Sequence, residues 1–332
     1  MLKFNEEEFV SQLTSALGLR PEIEALVEEV HKRELKNLFL IGAGGTYATM
    51  MPYELLMRRN SSFPTRAVIA AELVLSGDAT FGPQSLAVFA SASGTTEDVL
   101  KAIEYSKAQG AYTVALTGAG DSPIARAVDR VLLTVPETWF DLQLLLLTTR
   151  LMSSRGEFAG YEKLVGELAT IPQALVHVAM QADPAAAEFA RAHKDSDYIF
   201  VVGAGNLWGF AYLYSMCVLE ECQWLRTTRV HGAEFFHGSL ELIEKDTTVL
   251  LFVGEDETRP LMERVQRFAQ NYSDDVTTLD TAEFPLAEIS PEFRGLLSPL
   301  IMDTVATRVS KHLEAERNHD LALRRYYRVV EY

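Results

Sequence analysis

Four hydroxyl side chains within six residues, Ser91, Ser93, Thr95 and Thr96, surround Gly94 and could converge hydrogen bonds on one ligand. An apolar run (86–90) precedes them, and Val99, Leu100 and Ile103 follow at helical spacing, so the segment reads as strand, tight loop, helix. Hydroxyl oxygens at such a junction and the unpaired N–H groups of the first helical turn converge on one spot, where the positive end of the helix dipole favours an anion. A phosphate suits that spot. The plainer reading is an ordinary helix cap with Glu97 and Asp98 in the first turn.

A strand must lead into that loop and a helix must leave it, and the same order recurs along the chain. Residues 4–17 and 22–35 read as amphipathic helices, the second opened by Pro21 and carrying His31, Lys32 and Arg33 late, as the dipole prefers. Residues 37–41 form an apolar run ending in the turn GAGGT (42–46). Further strands are expected at 65–70, 112–116 and 131–135, a helix at 71–75, and a long helical region with Leu142 and Leu144 after Trp139. Pro172 and the alanine-rich stretch 184–192 read as connecting helices. Alternation of this kind calls for mostly parallel sheets with helices on both faces. Tyr47 stands where the third glycine of a dinucleotide fingerprint would be, and no acidic residue follows at the expected place, so no such cofactor is expected.

The pattern then restarts. NLFLIGAGGTYA around Gly42 reappears as YIFVVGAGNLWG around Gly203, 161 positions later. TRAVIAAEL (65–73) matches TTRVHGAEF (227–235), and SLAVFASASG (85–94) matches TTVLLFVGEDE (247–257). Two similar domains follow, expected at 1–180 and 181–332. The second copy carries Gly254, Glu255, Asp256 and Glu257 in place of the hydroxyl loop, and these acids repel a phosphate, so only the first copy is expected to bind one. Glu221, His231 and His237 lack counterparts in the first copy, and Glu234 faces only Glu72. Divergence of this sort marks where chemistry was added.

A chain of 332 residues with 48% hydrophobic content can fill two cores. Its 46 acidic against 30 basic residues, a formal charge of -16, exclude nucleic acid and anionic membrane surfaces as partners. The only cysteines, Cys217 and Cys222, are expected as buried free thiols. The opening residues MLKFNEEEF lack the apolar core of a signal peptide, and the run 142–147 is too short to cross a bilayer, so a cytoplasmic location is expected. His231, Glu234 and His237 lack the spacing of a metal site, and no metal is expected.

These features together resemble the SIS (sugar isomerase) family, with an α/β fold of two tandem flavodoxin-like domains built on doubly wound parallel sheets, a glycine turn after the first strand and an S-x-S-G-x-T loop. The likeness runs from about residue 35 to 332. It implies that Thr46, Ser91, Ser93 and Thr96 hold the phosphate of a sugar phosphate, aided by the backbone N–H groups of Ala92 and Gly94. In more detail the chain is similar to the isomerase half of glucosamine-6-phosphate synthase, whose catalytic glutamate stands sixteen positions before the histidine of an H-G-[PS] turn. Here that spacing joins Glu221 to His237. The resemblance also implies no cofactor, and a homodimer or higher homo-oligomer in which His237 serves its own or the neighbouring subunit's site. Departures are informative. The residues before the first strand read as helices rather than a glutaminase domain, Tyr326 occupies the place of the synthase's Schiff-base lysine, and Tyr214 that of a second acidic residue. The ending HDLALRRYYRVVEY instead resembles the deglycases of 6-phosphorylated Amadori compounds, which act on fructoselysine 6-phosphate and fructose-asparagine 6-phosphate.

That resemblance implies splitting of a fructosamino acid 6-phosphate into glucose 6-phosphate and an amino acid. The nitrogen arrives on the substrate, so no Schiff-base lysine is required. Glu221 is the expected general base and His237 the group that opens the ring or shuttles protons between oxygens. Arg324 and Arg325 are expected near the substrate's carboxylate, against the plainer reading of surface arginines paired to the protein's own acids. Two other readings stand beside this one. The first is an aldose-ketose isomerase of a sugar or aminosugar phosphate, and the second is a non-catalytic sugar-phosphate sensor.

Overall fold

The computed structural model describes residues 1–134 and 139–331; Val135, expected to end a strand, and Tyr332, the last residue of the C-terminal motif, lie outside them. The chain divides into two units, residues 6–172 and residues 1–5 with 173–332. The expected boundary at 180 would cut a continuous helix, and the N-terminal residues are tied to the second unit by Arg308, which donates to the Leu2 carbonyl, and by Lys3 against Glu314.

In the unit 6–172, helices α1 (Glu6–Leu17) and α2 (Arg20–Lys32) precede β1 (Asn37–Gly42), α3 (Gly45–Asn60), β2 (Thr65–Ile69), α4 (Ala70–Ser76) and β3 (Ser85–Ala90). There follow α5 (Glu97–Ala108), β4 (Tyr112–Thr117), α6 (Pro123–Ala127), β5 (Arg130–Leu133), α7 (Phe140–Ser154) and α8 (Tyr161–Leu168). All strands are parallel, in the order β2-β1-β3-β4-β5. Every residue of β3 and β4 is buried, the mark of strands covered on both faces, and this is why they read as unbroken apolar runs. Helix α5 lays Val99 and Ile103 against the Phe39 and Phe89 face of the sheet. The chain leaves β1 toward β2 on one side and reaches β3 on the other. The carboxyl ends of β1 and β3 therefore flank a topological switch point, the place where open α/β sheets form a crevice.

The second unit is entered through α9 (Ile171–His193), one helix containing Pro184 where separate connecting helices were expected. It continues through β6 (Tyr198–Gly203), α10 (Trp208–Leu213), β7 (Arg226–His231), β8 (Val249–Val253), α11 (Arg259–Tyr272), β9 (Val276–Asp280) and α12 (Pro291–Glu316). Its strands are again parallel, in the order β7-β6-β8-β9. Alternation along β6 sorts the core, with Ile199 and Val201 packed against Met302 and Val309 of α12, and Phe200 and Val202 against Met262 and Val265 of α11. The internal match holds in register. Leu40 pairs with Ala67 and Val88, while Val201 pairs with Arg229 and Leu250.

Candidate functional site

The turn after β1 and the hydroxyl loop after β3 leave neighbouring strands, since Ile41 pairs with Phe89. Ser91 still belongs to the sheet edge, its N–H donating to the Leu116 carbonyl, and it is buried. Its hydroxyl bonds that of Thr96 at 3.0 Å and accepts the Gly94 N–H at 3.1 Å. Thr96 precedes α5 but makes no side-chain cap, so the ordinary capping reading of this loop is not what the chain adopts. The half-exposed Ser93 shares a hydrogen bond with Thr95 at 3.0 Å. Thr46 departs from its expected role. Its hydroxyl donates to the Ala43 carbonyl at 3.0 Å and accepts the Ala43 N–H at 3.1 Å, which locks the turn and leaves no O–H hydrogen for a ligand. Among the described residues the N–H groups of Gly45, Ala92 and Thr96 have no acceptor. Small hydroxyls brace the loop and these N–H groups stay open, and such groups suit an anion.

Gly94 makes this geometry possible. It has φ of +63, and a Cβ there would stand 2.1 Å from the Ser122 hydroxyl oxygen. Gly94→Ala is expected to lower stability by roughly 1–3 kcal/mol through backbone strain alone. It should also weaken binding of inorganic phosphate, both readable by thermal denaturation with and without the ligand. A variant matching the parent in both would show that the loop tolerates another conformation.

The second unit holds the same backbone turn and fills it differently. Gly205, like Gly44, has φ of +55. The Asp256 carboxylate accepts the Asn206 N–H at 2.6 Å and the Thr258 N–H at 2.7 Å. A Cβ at Gly205 would lie 2.5 Å from both Asp256 oxygens, so glycine is what lets the carboxylate approach. Glu255 is paired with Arg294, with contacts of 3.0 and 2.5 Å. These acids were expected only to repel a phosphate. Asp256 instead occupies the N–H groups itself, and the charge of Glu255 is compensated.

Glu221 stands at the end of a helical run whose last part, Tyr214–Glu220, is π-helical. A π turn carries one extra residue and changes which side chains face outward, a distortion common at functional sites. Here the adjacent Glu220 and Glu221 both line an open cavity of about 820 Å³ within the second unit. Glu220 is committed, accepting from Thr227 and from Arg229 at 3.2 and 3.3 Å. Glu221 has one partner. Its Oε1 accepts from Arg324 Nε at 2.9 Å, and Oε2 has none among the described residues. Arg324 donates further to the Leu321 and Leu323 carbonyls and to the Cys222 sulfur. The expectation that Arg324 awaits a substrate carboxylate is corrected accordingly, because the protein's own glutamate holds it. Tyr326, largely exposed, lines the same cavity.

His237 closes a short 3-10 turn before Gly238; it is exposed, and its ring has no partner among the described residues. No contact among the described residues joins it to Glu221. His231 is tied locally. Its Nδ1 accepts the Ala233 N–H at 3.1 Å, and burial lowers its pKa against the opposing pull of Glu234. Cys217 and Cys222 are half-buried rather than fully buried. Burial pushes the Cys217 thiol up to about 12 and raises Cys222, against the nearby Arg324. Among the described residues no three His, Cys, Asp or Glu side chains cluster as a metal site would require. Sequence reasoning missed the role of Asp256 and the π turn. The adjacent glutamates did not signal the turn, since Glu28 and Glu29 stand side by side in the regular helix α2.

Residues 33–155 match the SIS domain family model. The fructosamine deglycase FrlB of Bacillus subtilis is 30% identical over 97% of this chain and 100% of its own length. The fructoselysine 6-phosphate deglycase of Escherichia coli is 27% identical over 94% of this chain and 92% of its own. A solved Bacillus subtilis structure described as a phosphosugar isomerase superposes with a TM-score of 0.88 at 28% identity, covering 96% of this chain and 100% of that one. Among the described residues no helix is long and apolar enough to cross a membrane.

Proposed function

The chain belongs to the SIS family of phosphosugar deglycases and isomerases, and from that membership we propose that it splits 6-phosphorylated Amadori compounds into glucose 6-phosphate and an amino acid. In this reading the chain is a tandem pair of SIS domains. The first carries the phosphate loop of Ser91, Ala92, Ser93, Gly94 and Thr96, with Thr46 bracing the turn beside it, and the second carries Glu221 and His237. The reading extends to a homodimer in the cytoplasm, supported by the family likeness and the low cysteine content.

The observation that carries the deglycase reading is the makeup of the cavity around Glu221. It offers a carboxylate oxygen without a partner, and Tyr326 rather than an amine at the place of the synthase lysine. The one lysine on its lining, Lys194, lies 3.8 Å from Glu316. That composition suits a substrate that brings its own nitrogen. Glu221 Oε2 takes the proton from carbon 1 of the ketose, and carbon 2 is then protonated, which leaves an imine at carbon 1. Water adds to that imine and the amine departs, giving glucose 6-phosphate. Arg324 fixes the other oxygen of Glu221 so that the base keeps one orientation. His237, exposed and with no ring partner among the described residues, is assigned to ring opening and proton transfer between oxygens, since an imidazole can both donate and accept a proton. Asp256 supports the phosphate assignment by analogy, since the same backbone turn in the second unit accommodates an anionic group.

The test is incubation with fructoselysine 6-phosphate and fructose-asparagine 6-phosphate in deuterated water. Glucose 6-phosphate and free amine are expected, with solvent deuterium at carbon 2 of the sugar. Interconversion of free aldose and ketose phosphates without cleavage of either adduct would replace this reading with the isomerase one.

A further inference from the structure

The cavity beside Glu221 has a charge balance unlike that of the chain around it. Basic side chains outnumber acidic ones five to four along its lining, in a protein of formal charge -16. Three of the cations are spent: Arg324 on Glu221, Arg317 on the Lys194 and Gln223 carbonyls, and Lys194 near Glu316. The other two are not. Arg226, exposed at the start of β7, has no hydrogen-bond acceptor and no acidic partner among the described residues, whereas Arg229 on the same strand pairs with Glu220. Arg325 also lacks a carboxylate and lies 4.1 Å over the ring of Trp224. Stacking of this kind fixes the plane of a guanidinium while its N–H edge stays available for a bidentate acceptor.

The platform beneath Arg325 is itself held in an unusual state. Trp224 has φ of +57, an uncommon conformation for a bulky side chain, and its ring meets the edge of His319 at 4.4 Å. The Trp224 backbone N–H donates to the Glu220 carbonyl, so the turn that presents the indole is anchored at the end of the π-helical run. Lone surface arginines are commonplace. Two guanidiniums without a carboxylate partner among the described residues line the same cavity as the candidate base, and such groups suit an anion.

We propose that Arg226 and Arg325 bind the carboxylate of the substrate's amine half, so that this enzyme selects adducts of amino acids over adducts of simple amines. Asp195 and Asp197 on the same lining oppose a second negative charge, which makes a single carboxylate the fitting class. The proposal rests on the deglycase reading and transfers the role expected of Arg324 to a residue that no sequence pattern marked.

The pair that isolates it is fructoselysine 6-phosphate and the 6-phosphofructosyl adduct of cadaverine, which differ only in the carboxylate. Arg226→Gln is expected to raise KM for the lysine adduct roughly tenfold to a hundredfold, the range for a charge-assisted hydrogen bond. It should leave kcat, and both constants for the cadaverine adduct, within about twofold. Arg325→Gln should act in the same direction on the same substrate. Equal losses on both adducts, or no change on either, would overturn the assignment. Failure of the unaltered protein to cleave either adduct would remove the deglycase reading and this proposal with it, a result distinct from cleavage of both that ignores the carboxylate.

Discussion

Glu221→Gln is expected to lower kcat for glucose 6-phosphate release by roughly 10²- to 10⁴-fold, the usual range for loss of a general base, while affinity for glucose 6-phosphate is kept. Glutamine preserves the size of the side chain and an acceptor for Arg324 Nε, so the Arg324 contact at 2.9 Å can survive the change. The oxygen that takes the proton is what disappears. Single-turnover kinetics on fructoselysine 6-phosphate give the chemical step, and calorimetric titration with glucose 6-phosphate gives binding. Glu220→Gln is the informative companion, because Glu220 is tied to Arg229 and Thr227 and lacks an open oxygen of the kind Glu221 offers. A larger fall in kcat for Glu220→Gln than for Glu221→Gln would move the base by one residue.

Ser93→Asp should abolish binding of sugar phosphates. A new carboxylate within about 4 Å of a phosphate costs on the order of 4 kcal/mol at an effective dielectric near 20, which is roughly a thousandfold in affinity. Ser93 is half-exposed on a loop, so the core gives little reason for the fold to suffer, and an unchanged melting temperature without ligand is the control. The internal match offers a precedent. Position 255 of the second unit answers to position 93 and carries a glutamate, whose charge is met by Arg294. Retained affinity for glucose 6-phosphate in Ser93→Asp would place the phosphate elsewhere.

Much of the architecture was legible in the linear sequence, because local physics dictates it. The apolar runs at 37–42, 85–90, 198–203 and 249–253 are strands buried on both faces, and burial on both faces demands unbroken hydrophobicity. The offset between Gly42 and Gly203 became two parallel sheets with matching pairing, since equal patterns of turn and periodicity yield equal topologies. The hydroxyl loop was visible for the same reason, as its residues bond chiefly to one another across two to five positions.

Tertiary structure decided the partners. Glu221 meets Arg324 about a hundred residues away, and Arg324 is thereby withdrawn from the role its chemistry suggested. Thr46 spends its hydroxyl on its own turn, and Asp256 reaches back fifty residues to the Asn206 N–H. Which of two adjacent glutamates keeps a free oxygen depends on a π turn and on Arg229 from the neighbouring strand. Arg226 differs from other arginines of this chain only in what surrounds it. A side chain's type fixes which bonds it is able to form. Which it does form is set by groups that folding delivers from elsewhere in the chain, and a catalytic base or a ligand receptor is defined by the groups left over.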